Sequence, residues 1–262
     1  MTRIQSPSVA GTFYPGEAAV LQNDVDHLLE QAKVDFAANP KALIAPHAGY
    51  VYSGPIAATA YRSIEAIANN ISRVVVIAPS HRVGFRGLAI SSAEYFKTPL
   101  GDIPVDHEAL SKIWDLPQVS RLDQVFANEH ALEVQLPFLQ RALGSFSLVP
   151  LIAGDASPES VAEVFEKLWG GDETLFVISS DLSHYHDYAT AQTRDQKTTN
   201  AIEHLSSEHI GSGDACGRVP VKGLLHIAAA KGLQVKTLDL RNSGDTAGTK
   251  DRVVGYGAYA FY

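Results

Sequence analysis

The strongest constraint in this chain is a recurring pair: a short, largely apolar, β-branched run, then a loop and a helix-like stretch. The runs are Lys41–Ala45, Arg73–Ala78, Ser147–Ile152 and Thr174–Ser179. Runs of this length and composition are strands buried on both faces. Pro150 weakens the third as a central strand, because proline has no N–H for a ladder. Between them lie helical patterns. From Glu17 to Ala37 the residues Leu21, Val25, Leu28, Leu29 and Ala32 share one stripe. Ile56–Ile67, Glu129–Leu143, Pro158–Leu168, Tyr188–Leu205 and Val219–Ala230 look alike. Strand-helix alternation predicts a three-layer α/β/α fold around a largely parallel or mixed sheet. Val235–Leu240 and Arg252–Phe261 add strands at or near an edge, and Leu88–Ser92 with Thr98–Val105 a hairpin-like excursion.

No fixed-period repeat, low-complexity tract or linker interrupts the 262 residues, so residues 1–262 are expected to form one domain. With 21 basic against 29 acidic side chains the net charge is −8, which disfavours nucleic acid and anionic membrane as partners. No apolar run has the length of a membrane span, and the first residues lack a signal-peptide core. Cys216 is the sole cysteine, so no internal disulfide forms and a reducing, cytoplasmic setting is expected.

In an open α/β sheet, ligands bind beyond the carboxyl ends of the strands. After the first run comes Pro46-His47-Ala48-Gly49-Tyr50-Val51-Tyr52-Ser53-Gly54; after the second, Pro79-Ser80-His81; after the fourth, Ser180-Asp181-Leu182-Ser183-His184. Three strands thus each deliver a histidine near their ends, a pattern suited to a metal because neutral imidazole is the commonest ligand for zinc, copper and iron. Gly49 and Gly54 would let backbone pass close to a bound group. Asp181, three residues before His184, is placed to orient an imidazole or to act with it in acid/base work. A lone strand-end histidine is usually structural, and a metal-free catalytic pocket stays open on spacing alone. Cys216 lies between glycines before a helical stretch, where a thiol can be ligand or nucleophile; its bland alternative is a small buried hydrophobe. His130 and Glu133 would share a helix face, with capping by Glu129 as the structural alternative. Phe13, Tyr14, Tyr50 and Tyr52 can wall a pocket or fill a core, and Asn242–Thr246 can line its rim. No Walker loop, Gly-x-Gly-x-x-Gly or Gly-x-Ser-x-Gly is present.

Together these motifs resemble the Memo family, whose microbial members are also called AmmeMemoRadiSam system protein B. The resemblance rests on Val9–Pro15, Pro46–Gly54, Pro79–His81, Glu129–Phe138, Ser179–His184, Ala215–Arg218, Asn242–Asp245 and Val253–Tyr256, and spans nearly the whole chain. It implies a fold like that of the class III extradiol dioxygenases, non-haem iron enzymes. Carried over, His47 and His81 match two metal ligands, Cys216 stands where those enzymes have glutamate, and His184 matches the acid/base histidine, with Asp181 beside it. Phe13 and Tyr52 match aromatic positions of a ligand pocket, to which Glu129 and His130 are assigned. The implied cofactor is iron or copper, with zinc open, and the implied activity a metal-dependent oxidoreductase. The resemblance also implies an alternative, a non-catalytic module binding a small molecule or (phospho)peptide, and a radical-SAM protein as a pathway partner. Thiol or zinc-hydrolytic chemistry is a third expectation. Cysteine for glutamate replaces a hard oxygen by a soft, oxidisable thiolate, so ring cleavage does not follow.

Overall fold

In chain order, the computed structural model, which describes residues 2–262, contains β1 (Ile4–Gln5), α1 (Ala18–Gln31), β2 (Ala42–Ala45), α2 (Tyr50–Arg62), β3 (Arg73–Pro79), β4 (Leu88–Ile90), β5 (Tyr95–Thr98) and β6 (Gly101–Pro104). Then follow α3 (His107–Ser111), β7 (Val119–Arg121), α4 (Asp123–Phe126), α5 (His130–Glu133), α6 (Leu136–Leu143), β8 (Ser147–Ala153), α7 (Pro158–Leu168) and β9 (Thr174–Ser179). The chain closes with β10 (His184–His186), α8 (Tyr188–Glu203), α9 (Arg218–Lys231), β11 (Val235–Asn242) and β12 (Val253–Phe261).

The main sheet runs β10-β12-β2-β9-β3-β8-β4-β7, with β11 added on β12. Its centre, β2-β9-β3-β8, is parallel; β12 and β4 flank that centre antiparallel, so the sheet is mixed. Every residue of β2 and β9 is buried, as is all of β3 beyond Arg73. Each fully buried Val, Ile or Leu contributes roughly 1.5–3 kcal/mol. That requires cover on both faces. Helices α1, α2, α5 and α6 pack on one face, and α7, α8 and α9 on the other. The small sheet β1-β5-β6 stands apart from the main one.

Three local expectations change. Ser147–Ala153 is an interior strand despite Pro150. Leu148, whose amide faces the same side as that of Pro150, accepts from Asp106, and β4 pairs only with residues 151–153. Pro150 therefore falls in a gap where no N–H is needed. Of the expected excursion, Leu88–Ile90 joins the main sheet beside β8, and only β5 and β6 form a hairpin. The stretch Tyr50–Gly54 is the first turn of α2 rather than a loop. Gly54 lies where a Cβ would stand 2.9 Å from Leu28 Cδ1, so it serves close packing of α2 on α1, not a ligand.

Candidate metal centre

Three neighbouring parallel strands, β2, β9 and β3, end side by side, and each delivers a side chain two residues later: His47, Asp181 and His81. Rigid, buried strands fix these positions before any ligand arrives. Cys216 comes from far along the chain, in the turn that opens α9. Its N–H donates to the Asp181 carbonyl at 3.2 Å, and its Sγ accepts from the Asp181 N–H at 3.2 Å. The turn can come this close because residue 217 is glycine. A Cβ there would meet the Ser179 carbonyl oxygen at 2.7 Å and Ser180 Cβ at 2.6 Å. The outcome is a Sγ 3.3 Å from His47 Nε2. One donor atom from each of His47, His81 and Cys216 lies within 4.8 Å of the others. Two ligands of a tetrahedral ion at about 2.0–2.3 Å stand roughly 3.3–3.6 Å apart, so the His47–Cys216 spacing already suits a metal.

Hydrogen bonding decides which ring nitrogen faces the site. Ser179 Oγ donates its one proton to the Ala131 carbonyl at 2.6 Å and accepts from Gln135 Nε2 at 2.8 Å. His47 Nδ1, 2.8 Å from the same Oγ, must therefore be the donor, leaving the Nε2 lone pair toward Cys216. His184 Nδ1 lies 2.8 Å from the Leu182 carbonyl, which can only accept, so its Nε2 is also free of a proton when the ring is neutral. His81 Nδ1 lies 2.9 Å from the Glu129 carboxylate, with the same consequence. Metal-ligating histidines commonly show this arrangement.

Burial, then the charges of His81 and His184, push His47 down to about 3, against the pull of Glu129. Burial and His47 lower His130 to about 4. Burial works to raise the Glu129 carboxyl, but hydrogen bonds from the His81 side chain and from the His81 and Ala131 backbone prevail and hold it near 2. Burial pushes Asp181 up, opposed chiefly by the His47 N–H. The Cys216 thiol is likewise pushed up by burial and by Asp181. Without a metal, His47 and His130 are thus neutral and the Cys216 thiol protonated, and a metal would take the place of the thiol proton.

His47, His81, His130, Asp181 and His184 line one cavity of about 790 Å³, together with Phe13 and Tyr52. Cys216 instead lines a second cavity of about 510 Å³, with Ser80 and Arg218, so the His47–Cys216 pair is a wall between two spaces. The mouth of the first cavity carries residues the sequence did not single out: Tyr185, Arg252 and Thr249. Tyr185 is 63% exposed and has φ +62°, a left-handed backbone rare for a tyrosine. It sits at a bulge between His184 and His186, and Arg252 lies over its ring at 4.6 Å.

Other expected pairings do not form. Asp181 does not orient His184; its Oδ1 accepts the His47 N–H at 2.8 Å, and a carbonyl orients His184. His130 and Glu133 do not act together, because Glu133 turns away to accept from Ser8, Val9 and Tyr14. Glu129 does cap α5, accepting from Ala131, but it also faces two histidines and sits behind the cavity wall rather than in it. Tyr14 and Tyr50 are core residues. The supports of His47, Ser179 and Gln135, had a faint signal, as polar residues inside otherwise apolar runs. Tyr185 had none, since its distinguishing feature is a dihedral angle.

The family described as Memo-like protein matches residues 5–260. A "MEMO1 family protein" of Aquifex aeolicus is 35% identical over 97% of both chains. Proteins of the same description from Thermotoga neapolitana and Ignicoccus hospitalis are 34% and 32% identical, with 97% and 98% of this chain and 98% of each relative covered. Among solved structures, an uncharacterized Escherichia coli K12 protein has 13% identity and a TM-score of 0.48 over 82% of this chain and 98% of its own. With its family profile and its relatives covering almost its entire length, the chain belongs to the Memo family.

Proposed function

We propose that the chain holds iron or copper between His47 Nε2, His81 and the Cys216 thiolate, and uses it in oxidation–reduction of a small molecule in the adjoining cavity. The observation that carries this is the convergence of the three donor atoms, with the His47 and His81 tautomers already presenting Nε2. A soft thiolate with two imidazoles suits copper(I) or thiolate-bound iron, and it also takes zinc. The bound metal would supply an electron-transfer and Lewis-acid centre.

The chain's own residues then have distinct tasks. His184, held at Nδ1 by the Leu182 carbonyl, offers Nε2 to accept a proton from a ligand. Asp181 accepts the His47 backbone N–H through Oδ1 and stands 3.9 Å from its Nε2 through Oδ2, beside the donor atom that would meet the metal. Phe13 and Tyr52 wall the cavity and limit water.

Metal analysis of anaerobically purified wild type beside His47→Ala and Cys216→Ser tests the proposal. Near-stoichiometric iron or copper, lost in both variants, supports it. Zinc alone in wild type would redirect it to hydrolytic chemistry, and no metal after reconstitution of folded protein would end it. A second reading, a binding module without turnover, draws support from the exposed collar of Val51, Tyr52 and Tyr185 around the mouth. Ligand binding unaffected by Cys216→Ser, without metal-dependent oxygen consumption, would favour it.

A further inference from the structure

Glu129 is the charged residue beside the site that the proposed chemistry leaves unused. It is 4% exposed, yet its carboxylate is contacted on every side. Oε2 accepts the His81 backbone N–H at 2.6 Å. Oε1 faces His81 Nδ1 at 2.9 Å, the Ala131 N–H at 3.0 Å and His130 Nδ1 at 3.4 Å. The two imidazoles it faces lie stacked, with centroids 4.9 Å apart and planes 22° apart. Helix capping alone would need only the Ala131 contact. The two contacts to His81 tie the end of β3 to the start of α5 through one buried carboxylate.

An ionised carboxylate only accepts hydrogen bonds. It therefore requires the proton of His81 to sit on Nδ1, and it favours the same for His130. Both rings then turn Nε2 away from Glu129. We infer that Glu129 is a positioning residue: one carboxylate fixes the tautomer of a ligand histidine by a hydrogen bond, biases that of a neighbouring pocket histidine by its charge, and strengthens the first as a donor. The part concerning donor strength rests on the metal reading above; the part concerning tautomers does not. His130, biased the same way, offers Nε2 as a hydrogen-bond acceptor for a ligand, beside Phe13, whose ring lies 4.9 Å from its own.

The experiment has two readouts on the same proteins. The first is nitrogen NMR of the histidine rings in metal-free wild type, Glu129→Gln and Glu129→Ala. Wild type is expected to show His81 and His130 protonated at Nδ1, and Glu129→Ala to show both as tautomer mixtures. Wild-type His81 protonated at Nε2, or a Glu129→Ala spectrum with unchanged tautomers, would overturn the inference. If Glu129→Ala does not fold, Glu129→Gln decides, because it keeps the shape and removes the charge. The second readout is copper(I) affinity by competition with a coloured chelator. Loss of a ligand's carboxylate partner is expected to weaken binding 10–100-fold, and Glu129→Asp to restore part of it. Equal affinity in wild type and Glu129→Gln would overturn the donor-strength part. Wild type that binds no copper(I) overturns the metal reading and the donor-strength part with it, while the NMR result still judges the positioning role.

Discussion

The floor and the mouth of the cavity are built on opposite principles. On the floor, His47 is 2% exposed, and Asp181, Ser179 and Gln135 are all buried and hydrogen-bonded to one another's strands or to His47. At the mouth, Tyr52 and Tyr185 are 40% and 63% exposed, and among the described residues Arg252 has no carboxylate partner within the 4.0 Å of an ion pair. The floor is organised by the fold and ready before a ligand binds. The mouth leaves aromatic surface and cationic donors free for a ligand to organise. Perturbing the floor should therefore cost metal affinity and stability, whereas perturbing the mouth should change ligand binding at no cost to either.

The largest expected effect is on the floor. His47→Ala should lower metal affinity at least 100-fold, about 2.7 kcal/mol, while Arg252→Ala leaves it within about twofold. Competition titrations on both would break the comparison if the two variants lost affinity alike. Next comes Gly217→Ala, which drives a methyl into the Ser179 carbonyl and Ser180. Overpacking of this kind costs typically 1–3 kcal/mol. Urea unfolding should show it, and an unchanged midpoint would mean that the Cys216 turn is not tightly held.

Acid should loosen the floor. His47 is held down to about 3 and His130 to about 4 in the folded chain, both below the ordinary histidine value, and Glu129 is held near 2. Between those values and the unfolded ones, the unfolded chain binds more protons, so stability rises with pH there. The contribution of these three groups to the stability of the metal-free protein is thus complete above about pH 6.5 and falls as the pH drops toward 3. A urea midpoint that stays flat over that range would contradict the buried, neutral state of His47. Because a metal bound as proposed would displace the thiol proton of Cys216, metal affinity should also increase with pH.

The smallest effect belongs to the mouth and has the opposite sign. A left-handed backbone costs a non-glycine residue about 1–2 kcal/mol. Tyr185→Gly relieves that cost while losing a stacking contact with Arg252. A gain of about 0.5–1 kcal/mol is expected, read by thermal or urea unfolding, together with weaker ligand binding. Destabilisation instead would place Tyr185 among the structural residues and blur the distinction between floor and mouth.

Local chemistry made the centre of the sheet and its three strand-end histidines visible in the chain. A run such as Arg73–Ala78 has few ways to bury every side chain except between two helical layers, and whatever follows it must emerge at the sheet edge where ligands bind. Pro150 misled because its cost depends on whether a neighbour needs the missing N–H, and that neighbour is 60 residues away in sequence at β4. Gly54 misled for the same kind of reason: its small size serves Leu28 on another helix. The apparent His130–Glu133 pair was a matter of helix spacing, but Glu133 found stronger partners in Ser8, Val9 and Tyr14.

By itself the sequence determined the α/β class, pointed to the family, and put forward His47, His81, Cys216 and His184 as candidates, because apolar periodicity and short motifs are properties of contiguous residues. The tertiary structure alone decided that Cys216 meets His47, that Ser179 and Glu129 choose the proton-bearing nitrogen on His47 and His81, and that Tyr185 and Arg252 form the mouth. Each of these depends on atoms tens to well over a hundred residues apart being held within contact range. Local propensity does not specify such distances; the packing of β2, β9 and β3 between two layers of helices does.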